Sequence, residues 1–113
     1  MGKDKLRRFR ENLTFDCFVQ PEFDEVFHCD HPLKGRWRSD FFRNDNPIVL
    51  ELGCGKGEYT VALAEHDPSR NYIGIDIKGA RMWRGAKSVT ERKIANAGFL
   101  RTRVELSLIH ISE

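Results

Sequence analysis

An acidic residue at the end of a short apolar run, followed at once by glycines at alternating positions, restricts this chain more than any other feature. The segment is Val49-Leu50-Glu51-Leu52-Gly53-Cys54-Gly55-Lys56-Gly57-Glu58. With Ile48 in front of it, Ile48-Val49-Leu50 reads as a short buried parallel strand that runs into a glycine-rich turn. Lacking Cβ atoms, Gly53 and Gly55 permit tight backbone turns and let a nucleoside ligand lie against the main chain at the carboxyl end of a sheet. Dinucleotide sites usually carry Gly-x-Gly-x-x-Gly, with a pyrophosphate on the next helix N-terminus. Here the third glycine comes one residue early, and Glu51 would set a carboxylate beside that phosphate. A carboxylate suits a ligand with an ammonium or sulfonium centre, and S-adenosyl-L-methionine has both.

The residues that follow extend the same unit. Glu58 to Glu65 reads as a short helix, with Pro68 disfavouring helical geometry at Asp67. Tyr72-Ile73-Gly74-Ile75 reads as a second strand ending on Asp76, 25 residues after Glu51. A carboxylate there can accept hydrogen bonds from both ribose hydroxyls. The competing structural roles are a helix-proximal cap for Glu51 and an N-cap for Asp76. Ala80 to Ala97 is the longest helical candidate, with Trp83, Ala86, Thr90, Ile94 and Ala97 at helical intervals. Gly98 is expected to end it, and Phe99 to Val104 reads as a third strand. Strand, helix, strand, helix, strand implies an α/β fold with parallel strands joined by right-handed crossovers, in spatial order 3-2-1, the first strand left as an exposed edge.

A chain of 113 residues has room for one small domain, whereas a complete doubly wound sheet usually needs more. Three segments are expected. Residues 1–46 form a basic extension with Pro21 and Pro32 breaking any long helix; residues 47–105 form the first half of a nucleotide-binding domain; residues 106–113 stand apart. The last segment, Leu106-Ser-Leu-Ile-His-Ile-Ser-Glu113, matches the translation of a transposon-end adapter used in shotgun sequencing libraries and is expected to be non-native.

The net charge is only +2, so a nucleic-acid argument rests on distribution. Lys3, Lys5, Arg7, Arg8 and Arg10 crowd the first ten residues, and Lys34, Arg36 and Arg38 surround Trp37; Arg81, Arg84 and Lys87 share one face of the long helix. These groups are the candidate RNA surface, with Lys5, Arg7, Arg8, Lys34, Arg36, Arg38 and Arg84 as its principal members. A solvated face is the plainer alternative. Three cysteines without paired spacing favour a reducing compartment, and the cytoplasm is the expected location. No apolar run approaches the roughly 20 residues of a membrane span. His28-Cys29-Asp30-His31 is not expected to hold a metal, because four adjacent residues cannot all turn toward one ion and no second ligand pair has zinc-like spacing. Cys54 reads as a small apolar side chain in the turn, not a nucleophile.

The segments Asn46 to Tyr59 and Tyr72 to Trp83 resemble the bacterial tRNA (guanine-N7-)-methyltransferases. The resemblance extends through Lys5-Leu-Arg-Arg-Phe9, Leu33-Lys-Gly-Arg-Trp37 and Phe99-Leu-Arg-Thr-Arg-Val-Glu105. It implies a Rossmann-like class I methyltransferase fold, truncated to about the first three parallel strands and their helices, with an irregular basic N-terminal extension. It also implies S-adenosyl-L-methionine as cofactor, tRNA as partner, Glu51 and Asp76 as cofactor-binding acids, and Gly53 and Gly55 as the loop between them. Arg103 falls near a position where many members carry Asp or Asn on the adenine side, a departure from the pattern. The family's later Phe-Pro-Asp-Pro segment has no counterpart, so the catalytic residues are expected beyond this sequence and the chain alone is expected to show no turnover. Two further functions fit the same residues: methylation of a small molecule, and RNA binding without catalysis.

Overall fold

The computed structural model describes residues 2–21 and 33–103. The core is a four-stranded parallel sheet. Its strands are β1 (Phe18–Val19), β2 (Ile48–Leu52), β3 (Asn71–Asp76) and β4 (Ala97–Arg101), in spatial order β1-β4-β3-β2. The three strands expected from the sequence are β2, β3 and β4, and they lie in the expected order. Among the described residues three α-helices accompany the sheet: α1 (Gly2–Asn12), α2 (Glu58–His66) and α3 (Gly79–Arg92).

Alternation along the strands sends side chains to two different cores. Tyr72, Ala97, Phe99 and Phe18 pack against Val61 and Ala64 of α2 and Met82, Ala86 and Val89 of α3. Ile73, Ile75 and Leu100 face the other way and are covered by Trp37 and Phe42, part of a π-helical turn at Trp37–Phe42. Trp37 is fully buried, so it is a core residue of the second face and no platform for a base.

One ring organises the first core. Phe99 is fully buried and three glycines face it: a Cβ at Gly57, Gly74 or Gly85 would come within 2.5, 2.8 and 2.5 Å of its ring atoms. Phe18 adds an edge-to-face contact, with centroids 6.4 Å apart.

The structure departs from the sequence reading in four places. The long helix ends at Arg92, not Ala97, because Lys93 turns left-handed (φ 54°) and the Ile94 N–H bonds back to the Val89 carbonyl at 3.0 Å, closing the helix as a glycine often would. Gly98 therefore stops nothing; it lies within β4, where a Cβ would meet the Phe41 ring at 2.5 Å. The third strand starts at Ala97 and ends at Arg101, shifted toward the N-terminus from the expected Phe99 to Val104. Finally, Gly2–Asn12 is a regular helix packed on α3 where an irregular extension was expected, and Phe18–Val19 adds an unforeseen strand beside β4.

Candidate functional site

β2 and β3 end side by side, with Glu51 opposite Gly74 and Leu52 opposite Ile75. The chain leaves β2 through Gly53, Gly55 and Gly57, at φ 74°, 56° and 75°. The left-handed region is open to glycine at little cost, which is why this turn needs the residue it has. The N–H groups of Gly53 and Cys54 both bond to the Ile75 carbonyl, at 2.7 and 3.0 Å, pinning the turn to the neighbouring strand. A Cβ at Gly53 or Gly55 would meet nothing within 4 Å, so the turn borders open space.

The two predicted acids flank this turn. The Gly55 N–H donates to Asp76 Oδ2 at 2.9 Å, and the Ile77 and Lys78 N–H groups donate to Oδ1 at 2.7 and 3.2 Å. Asp76 therefore does not cap α3; it ties the glycine turn to the segment that leads into that helix. Partial burial raises its pKa, but these three N–H groups and the nearby Arg81 outweigh burial and hold the carboxyl below its usual value. A carboxylate offers about four lone-pair sites, so one is left for a ligand hydroxyl. Glu51 Oε1 accepts a hydrogen bond from the Thr60 hydroxyl, in the first turn of α2, instead of capping backbone N–H groups. Thr60 is 1% exposed, and nothing in its sequence position marked it as a partner for Glu51.

Cys54 reports the field in the turn. Burial first, then the charges of Asp76 and Glu51, push its thiol up to about 12. A negative field opposes a pyrophosphate and favours a cationic ligand. Cys54 is accordingly expected to react with iodoacetamide at pH 8 far more slowly than an ordinary thiol of pKa about 8.5, by a mass-spectrometric time course. Labelling at the rate of free cysteine would contradict this picture of the turn.

The basic candidates separate. Arg7, Arg8 and Lys87 converge on Trp83, with charged groups 5.5, 4.5 and 4.9 Å from the ring centroid. The Trp83 indole N–H donates to Glu11 Oε2 at 3.1 Å. Arg7 and Arg8 thus join α1 to α3, whatever else they touch, while Lys87 meets Trp83 within α3. Lys5 is exposed with its ammonium 5.9 Å from the Phe9 ring, and Arg36 and Arg38 are exposed near the π-helical turn, with Lys34 half-buried. Arg84 lies apart, in a groove of about 280 Å³ between α2 and α3 that Glu58, Glu65 and Arg92 also line. Arg103 is exposed just past β4, and Arg101, at the end of that strand, donates from its Nε to the Ile77 carbonyl at 2.9 Å. Among the described residues no group of three His, Cys, Asp or Glu side chains is placed to hold a metal, and no helix is long and apolar enough to cross a membrane. His28-Cys29-Asp30-His31 and residues 106–113 lie outside the described residues.

A family model described as a putative methyltransferase matches residues 45–109. The chain is 58% identical over 105 residues to a tRNA (guanine-N(7)-)-methyltransferase of Christiangramia forsetii, covering 93% of this chain and 47% of that protein. It is 64% identical over 75 residues to a protein of the same name from Porphyromonas gingivalis, covering 66% of this chain and 31% of that one. It therefore spans less than half the length of these curated relatives. Among solved structures, an antibiotic-related methyltransferase superposes with a TM-score of 0.54 at 22% identity, over 59% of this chain and 35% of that one, a likeness of fold.

Proposed function

The chain belongs to the putative methyltransferase family, and on that premise we propose that it forms the S-adenosylmethionine-binding part of an enzyme that methylates N7 of a guanosine in tRNA. The observation that carries this reading is the wiring of Asp76 to the Gly55 N–H, beside Glu51, at a turn that opens into free space. Those features fit the cofactor: Asp76 keeps an acceptor site for a ribose hydroxyl, Glu51 brings negative charge toward an ammonium group, and Gly53 and Gly55 leave room for an adenosyl group against bare backbone. The names of the relatives supply the substrate.

S-adenosylmethionine supplies a methyl carbon bonded to a cationic sulfur. Guanine N7 already carries a lone pair directed into the major groove, so no side chain has to remove a proton from it. The chain's own residues contribute orientation, which in a well-aligned pair is worth several orders of magnitude in rate. Lys5, Arg7, Arg8, Lys34, Arg36, Arg38 and Arg84 are the candidate phosphate contacts, and Arg103 is retained as a candidate beside the cofactor. Phosphate contacts of this kind make affinity fall with added salt.

A chimera in which this chain replaces the matching part of the Christiangramia forsetii relative provides the test. It is expected to form N7-methylguanosine in tRNA, detected after nuclease digestion, and the same chimera carrying Asp76→Ala is expected to form none above background. Equal product from both proteins, or methyl transfer only to small molecules, would count against the reading.

A further inference from the structure

We propose that α1 and Arg101 are positioning elements for the candidate cofactor turn: they hold the carbonyl side of the Ile77–Ala80 segment while Asp76 holds its N–H side. This inference rests on the reading of Asp76 as a cofactor-binding acid. It gives the N-terminal helix a role besides RNA contact.

Ile77 and Lys78 join Asp76 to α3, Gly79 and Ala80 open that helix, and three of these four carbonyls are each met by a side chain from elsewhere. The Ile77 carbonyl accepts Arg101 Nε at 2.9 Å, the Gly79 carbonyl accepts Asn12 Nδ2 at 2.9 Å, and the Ala80 carbonyl accepts Arg8 Nη1 at 3.4 Å. On the opposite side, Ile77 and Lys78 donate their N–H groups to Asp76 Oδ1. The segment is therefore gripped from both sides. Asn12 is 1% exposed, an uncommon place for an amide unless its hydrogen bond is needed.

Gly79 shows how closely the parts fit. A Cβ there would come within 3.2 Å of Arg101 Cδ and 3.3 Å of Phe9 Cε1, so the backbone is in contact with α1 on one side and Arg101 on the other. The Arg101 guanidinium also lies 5.6 Å from the Phe9 ring centroid, linking the two positioning elements to each other. In the strand register Arg101 is the partner of Asp76 itself. Freeing the carbonyls should let the segment, and with it the Asp76 carboxylate and the Gly55 N–H it holds, move away from the turn geometry.

The test compares Asn12→Ala and Arg101→Lys with Asn96→Ala. Asn96 is a matched control, because its Nδ2 also bonds backbone carbonyls, those of Ala64, Asp67 and Arg70, at the other end of the sheet. Two readouts are taken on the whole chain: amide hydrogen exchange at Ile77 and Lys78, and calorimetric affinity for S-adenosylmethionine. Either Asn12→Ala or Arg101→Lys is expected to speed exchange at these amides about tenfold, and to weaken binding by a similar factor, the loss of about one buried hydrogen bond. Asn96→Ala should lower the melting temperature and change neither. Should Asn12→Ala fail to fold, Arg101→Lys, which keeps the charge and moves the donor, carries both readouts. Exchange unchanged in the foldable variants, or accelerated equally by Asn96→Ala, overturns the proposal. A chain that binds no S-adenosylmethionine contradicts the functional reading, and the exchange data still decide the positioning claim.

Discussion

Phe99→Ala is expected to cost about 4 kcal/mol of folding stability, near the middle of the range for a buried phenylalanine, and to shift the urea midpoint accordingly. The reason lies in what surrounds the ring. Gly57, Gly74 and Gly85 face it with no side chain of their own, so on that side no rotamer change can fill the space left behind. Small domains are stable by only about 5–15 kcal/mol, so the loss would be a large fraction of the total. The converse substitution makes the same point. Gly74→Ala puts a Cβ 2.8 Å from Phe99 Cε1 and 3.0 Å from Cys54 Sγ and should also destabilise, yet the two changes together should cost less than their sum, because the truncated ring makes room for the new methyl. A loss under about 1 kcal/mol for Phe99→Ala would contradict this account of the core.

Asp76→Ala is expected to have the largest effect on the site. Three backbone N–H groups lose a charged acceptor, so exchange at Gly55, Ile77 and Lys78 should rise while that in the middle of β3 stays slow. Affinity for S-adenosylmethionine should fall on the order of a hundredfold, as for losing one or two charge-assisted hydrogen bonds. The pH dependence follows from the direction of the shift. The folded pKa of Asp76 lies below its ordinary value of 3.8, so its contribution is complete above that value and is lost as pH falls through the folded pKa. The stability difference between the unaltered chain and Asp76→Ala should be flat from about pH 8 to pH 5 and shrink below about pH 4. A difference that shrinks on going from pH 5 to pH 8 would have the wrong sign.

The parts of this architecture governed by local rules could be read from the residues. Ile48-Val49-Leu50, the glycine turn and Asp76 are short-range signals, each with a backbone reason, and the order of β2, β3 and β4 follows from their alternation with helices. What escaped depends on partners distant in sequence. Phe18 and Val19 are a strand only because β4 lies beside them, and two residues carry no periodicity. The helix α1 has few apolar residues; it packs through Phe9, Asn12 and cations that meet Trp83, a pattern that reads in isolation as a charged solvated stretch. The end of α3 was misplaced because the left-handed residue is Lys93, whereas Gly98, the usual signal for a stop, makes room for Phe41 within a strand. At the site, Glu51, Gly53, Gly55 and Asp76 lie together at the ends of β2 and β3, and Arg101 reaches the segment beyond Asp76. Thr60, Asn12 and Arg101 had no signal of their own, since hydrogen bonds to partners 9, 67 and 24 residues away follow no periodicity that could be read.

The most direct measurement is calorimetric titration of S-adenosylmethionine into the unaltered chain and into a Glu51→Ala/Asp76→Ala double variant, with a dinucleotide as the comparison ligand. Saturable heat at one molecule per chain, lost in the double variant and not reproduced by the dinucleotide, is the predicted result. Heat that survives removal of both carboxylates, or none with the unaltered chain, would contradict the assignment.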